Sequence, residues 1–153
     1  MLFSNHVAAG IILTKAGLNP EIVLPLCFVS HFALDSLPHT DVGVLIAKDK
    51  EKNFVPANIK EWIYLLLDIF GGLILFMIAF LQSPNYLISL AVFLAILPDL
   101  LDNLPFWNLK NILIFKQLHF LHEYVHFNVP KSKWFFGIIL EVLILGMGIW
   151  ILF

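Results

Sequence analysis

Residues 30–41 read Ser30-His31-Phe32-Ala33-Leu34-Asp35-Ser36-Leu37-Pro38-His39-Thr40-Asp41. The stretch closes an apolar run, yet it carries two imidazoles and two carboxylates. On a helix, His31 and Asp35 are four residues apart and share a face about one turn apart. Pro38 disfavours helical geometry at Leu37, so the helix should stop near there. His39 and Asp41 then lie just beyond the end, able to fold back toward the same point. Asp35 is left near a helix C-terminus, where the macrodipole already makes the potential negative. A carboxylate there needs a cation beside it. A metal ion is the sharpest candidate, and a buried His–Asp hydrogen bond is the plainer alternative.

The surrounding sequence sets this stretch in a membrane. Of 153 residues, 60% are hydrophobic and 13% are charged, against about 45–50% and 25% in ordinary soluble proteins. Mean hydropathy is +0.91. The nine basic residues are all lysine and the net charge is −2. No clustered basic patch exists to serve a nucleic-acid surface, so that class is excluded. The single cysteine, Cys27, rules out an internal disulfide. The N-terminus has no basic leader or small-residue cleavage site, so it does not read as a cleaved signal peptide.

The expected fold is all-α: a polytopic integral membrane protein forming one domain, residues 1–153, with about five membrane segments and one amphipathic interfacial helix. The first segment runs to about Ala16, capped by Ser4 or Asn5 and ended by Gly17 and Asn19-Pro20. The second spans about Glu21–Leu37. Both are short for the ~20 residues of a full crossing. Thr40–Asn58 is polar, and its charge run Lys48-Asp49-Lys50-Glu51-Lys52 reads as a solvated loop. Trp62–Leu81 is a clear span, holding Asp68 and the pair Gly71-Gly72. After the turn at Pro84-Asn85, Tyr86–Leu101 returns. Lys110–Phe127 carries an apolar stripe of Ile114, Leu118, Leu121 and Val125 at helical spacing. Trp134–Phe153 is the last span and contains Glu141.

Let the five segments alternate across the bilayer. Eight of the nine lysines then share one side, with only Lys15 on the other. That side is cytoplasmic by the positive-inside rule, and the C-terminus lies opposite. All six histidines fall on the same side: His6, His31, His39, His119, His122 and His126. Asp35, Asp41, Asp99 and Asp102 join them. Asp68 and Glu141 lie about 10 Å below that surface, at ~1.5 Å rise per residue, as supporting partners or contacts between helices rather than ligands.

Imidazole and carboxylate suit zinc or another borderline divalent ion. His119, His122 and His126 can line one helical face. Candidate metal ligands are His6, His31, Asp35, His39, Asp99, His119, His122 and His126, in number enough for one or two ions. Asp102 or Glu123 is the candidate general base. No Gly-x-Ser-x-Gly occurs, which disfavours a serine hydrolase.

Leu97-Pro98-Asp99, a histidine near the N-terminus and the small multi-span layout resemble the bacterial and archaeal membrane-bound metal-dependent hydrolases. The likeness covers most of the chain but rests on few residues. Asp99-Leu100-Leu101-Asp102 stands where that family shows Asp-x-Asp-His. Its His-Arg-Gly-x-Thr-His stretch is absent, with His122 and His126 in its place. More distantly, His31-Phe32-Ala33-Leu34-Asp35 followed by Pro38-His39 is similar to the all-helical zinc-dependent phospholipase C and single-strand nuclease superfamily, with a shorter spacing to the second histidine. Both resemblances imply hydrolysis at a metal centre. The expected function is therefore a metal-dependent hydrolase of the cell inner membrane. Its site faces the cytoplasm, and its substrate is a phospholipid or other amphiphilic ester at headgroup depth. The alternatives are a divalent-metal transporter, which predicts ligands spread through the bilayer, and a structural subunit without chemistry.

Overall fold

The computed structural model describes residues 1–40, 59–103, 112–127, 129 and 134–153. Asp41 and the lysine-rich loop expected before residue 58 lie outside the described residues. Those described form six helices: α1 (Phe3–Lys15), α2 (Pro20–Asp35), α3 (Ile59–Gln82), α4 (Tyr86–Asn103), α5 (Leu113–Val125) and α6 (Trp134–Leu152). The all-α expectation holds among them, and each helix lies where its apolar run placed it.

The expected count of about five membrane segments is corrected to two candidates. Among the described residues, only Trp62–Gln82 and Phe135–Leu152 are long and apolar enough to cross a membrane. The reason is length. α1 has 13 residues and α2 has 16, or about 20 and 24 Å at 1.5 Å per residue, short of the ~30 Å hydrocarbon core. In α4 the apolar run is broken by Pro98, Asp99 and Asp102. The two long helices bury only 11% and 28% of their apolar windows inside the protein. Core helices of a soluble domain would be largely covered, whereas these leave side chains such as Leu67, Phe70, Leu143 and Trp150 exposed.

α1 is the hub. It contacts α2, α3, α4 and α6. Val7 and Ile11 pack with Ala79, Ile88, Val92 and Leu152. Gly10 allows a close approach to the α4 backbone: a Cβ there would stand 3.0 Å from the Val92 Cα. The start of α1 departs from expectation. Leu2 occupies the N-cap position and offers no side-chain bond. Asp68 of α3 supplies the cap instead, accepting from the Phe3 and Ser4 amides at 2.7 and 3.0 Å and from the Ser4 hydroxyl. A carboxylate suits this place, because the first-turn N–H groups of a helix lack intrahelical acceptors.

Candidate metal centre

The end of α2, the start of α1, the end of α4 and the second half of α5 meet at one point. His31 and Asp35 share the inner face of α2, both fully buried. Their Nε2 and Oδ2 atoms are 3.1 Å apart. From α5, His122 Nε2 lies 2.8 Å from the same Oδ2 and 3.3 Å from His31 Nε2. From α4, Asp99 Oδ1 lies 3.7 Å from His31 Nε2 and 3.9 Å from His122 Nε2. Ligands held ~2.0–2.1 Å from a tetrahedral ion are about 3.3 Å from one another. The five separations, 2.8–3.9 Å, scatter around that edge length.

The outward edges of both imidazoles fit the same purpose. His31 Nδ1 donates to the Ala95 carbonyl at 2.8 Å, and His122 Nδ1 donates to Asp102 Oδ2 at 2.6 Å. Metal-binding histidines characteristically give their second N–H to a carbonyl or carboxylate, which turns the other nitrogen's lone pair toward the ion. Asp102 also accepts from His119 Nδ1 at 3.0 Å. Two imidazole nitrogens and two carboxylates therefore converge, a grouping able to hold a metal ion.

Without an ion, a proton does part of that work. Burial favours neutral His122, but hydrogen bonds to Asp102 and Asp35 outweigh it and hold the imidazolium up to about 10. With Nδ1 committed to Asp102, this second proton sits on Nε2, facing Asp35. Asp102 is likewise pushed up by burial, yet hydrogen bonds from His122 and His119 bring it below its ordinary value. Asp35 also meets the Met1 amino group at 2.8 Å.

A second grouping adjoins the first. Asp35, His39 and His126 also lie close enough to hold an ion. Backbone pairing sets His39 there. The Phe127 amide donates to the Asp35 carbonyl at 2.8 Å, and the Val129 amide donates to the His39 carbonyl at 2.9 Å. The His39 and His126 rings are 4.7 Å apart. α6 holds this corner from below. Glu141 accepts from the Thr40 amide at 3.0 Å. At Gly137 a Cβ would collide with Thr40 Oγ1 and stand 2.7 Å from the His39 carbonyl carbon.

The structure thus brings together His31, Asp35, His39, Asp99, His122 and His126. His6 joins them, fully buried, stacked on His31 at 4.1 Å, with Nε2 3.3 Å from Asp35 Oδ1. His119 and Asp102 lie one layer out, behind His122. Glu123 is exposed, because its neighbour His122 takes the inward face and adjacent helical residues diverge by about 100°. It is not brought to the cluster. Sequence reasoning missed the Ala95 carbonyl and the buried side chain of Asn5, whose amide has no hydrogen-bond partner. Comparison of the chain with known protein families, curated proteins and solved structures finds no match.

Proposed function

We propose that this chain is a membrane-embedded, metal-dependent hydrolase of the cell inner membrane, acting on a phospholipid or other amphiphilic (phospho)ester at the cytoplasmic headgroup level. The carrying observation is the convergence of His31 Nε2, His122 Nε2, Asp35 and Asp99, with both Nδ1 groups anchored outward. The nitrogen and oxygen donor set favours zinc. A bound zinc ion would supply an acidified water and polarise the scissile oxygen. His31, His122, Asp35 and Asp99 would hold it, and Asp102 would fix the ring of His122. Asp99 is the partly exposed member, at 24%. It is the carboxylate that solvent reaches, the edge at which water would meet a bound ion. Asp102, engaged with two imidazoles, serves better to orient than to abstract.

The substrate class follows from position. Asp68 and Glu141 touch the cluster's supporting backbone six residues into each candidate span, about 9 Å at 1.5 Å per residue. That is headgroup to upper acyl depth. An apolar groove of about 460 Å³ is lined by Phe28, Leu101, Phe115, Leu118 and Leu121, from the same three helices that carry His31, Asp99 and His122, and is within the size range of small-molecule sites. It suits an acyl chain whose ester reaches the ion. Transport of a metal fits less well. Beyond Asp68 and Glu141 the two candidate spans contain no ionisable residue, so the far side offers no ligand path.

The test is metal analysis of the protein in lipid nanodiscs before and after chelation, with release of product from phosphodiester and carboxylic ester lipids of long and short chain. Stoichiometric zinc, with chelator-sensitive hydrolysis favouring long chains, is expected. Absence of bound metal, or turnover indifferent to the chelator, overturns the reading.

A further inference from the structure

Resting on that metal reading, we infer that the centre is dinuclear, with Asp35 bridging a first ion held by His31, Asp99 and His122 and a second held by His39 and His126.

Asp35 is the one residue common to both groupings of possible ligands. A carboxylate has two oxygens and can give one to each of two ions: Oδ2 faces His31 and His122, and Oδ1, which meets the Met1 amino group and His6, would exchange that ammonium for the second ion. Two-metal hydrolytic sites use such closely spaced ions, ~4 Å apart, to hold the attacking and leaving oxygens together. Asp35 is also the most thoroughly fixed member. Its side chain is fully buried, and its backbone carbonyl accepts from Phe127, the residue that follows His126.

The second grouping shows the same construction as the first. His39 Nδ1 donates to the Leu37 carbonyl at 2.8 Å, so Nε2 is the atom it can offer a metal. His126 caps α5, one turn beyond His122, and its amide donates to the His122 carbonyl at 3.0 Å. The His122 and His126 rings are 5.4 Å apart and those of His126 and His39 are 4.7 Å apart. Three imidazoles therefore run as a continuous row from one grouping to the next. A structural His–Asp pair has no use for two further imidazoles beside it, the buried ring of His39 fixed by the Leu37 carbonyl and the half-buried ring of His126 packed edge-on against it. The α6 contacts at Gly137 and Glu141 serve this corner, seating His39 and Thr40 on the candidate span.

The test uses the full chain in nanodiscs, stripped by chelator and reloaded with Mn²⁺ or Zn²⁺. Elemental analysis of the parent should give two ions per chain, and the Mn²⁺ form should show an exchange-coupled electron paramagnetic resonance spectrum. His126→Gln should bind one ion and show the spectrum of isolated Mn²⁺. One ion in the parent, an uncoupled parent spectrum at full loading, or two ions in the variant would overturn the dinuclear site. The parent spectrum decides the matter even if the variant does not fold. Two coupled ions with no ester turnover would leave the dinuclear site standing and remove the hydrolase, whereas no ion in the parent would remove both.

Discussion

Asp102 shows how far a residue's role depends on what it faces. It lies at the end of α4, three residues after Asp99, and spacing alone made it a candidate base. The structure turns it onto the outer nitrogens of His119 and His122. Asp102→Asn should therefore lower metal affinity by roughly 10–100-fold, read by competition with a chromophoric chelator. Unchanged affinity with lost turnover would return the base role to it. His122 carries the pH prediction. Its imidazolium persists to about 10 in the metal-free protein, against an ordinary value of 6.5. A group raised on folding contributes in full below the unfolded value and loses its contribution as pH climbs through the folded one. The melting temperature of chelated protein should fall by several degrees between about pH 6.5 and 10, and His122→Gln should flatten that fall. A variant with the parent's slope would assign it elsewhere. Zinc binding near pH 7 must displace this proton, so uptake in weak buffer should release acid.

At the scale of elements, helix positions were legible and helix partners were not. Apolar runs and prolines place all six helices, because burial pattern and backbone geometry are local properties. The cap of α1 was misread at Ser4 or Asn5, since its acceptor comes from 64 or 65 residues away, on α3. One-sided clustering of histidines and acids revealed the site, but not the layer to which each belongs. His119 and His122 look alike in sequence, yet only His122 faces the centre. Two substitutions test these contacts. Asp68→Ala should destabilise the protein by about 1 kcal/mol, as loss of a helix cap does, while leaving metal content unchanged. Gly137→Ala should push His39 and Thr40 off α6 and lower metal content, with the helical circular dichroism retained. Full metal loading of Gly137→Ala would show that the His39 corner does not depend on α6.

For the whole molecule, α3 and α6 both begin on the side of the candidate metal centre, so they run in the same direction, and α4, which lies between them in the chain and ends at Asp99 and Asp102, carries it back to that side. A reporter fused after Phe153 should be active only on the face away from the site; activity in the cytoplasm would invert the orientation proposed from the lysines. The arrangement also bears on the order in which the protein can be made. α1 precedes in the chain every helix it rests on, α2, α3, α4 and α6, and α6 comes more than a hundred residues after it. At 13 residues α1 cannot hold itself in place before they arrive. His6 meets His31 and Asp35 as soon as α2 follows, but the opposite face of α1 is covered only when Gly148 of α6 comes to rest beside Ala8. A chain stalled before α6 should therefore leave α1 open to protease.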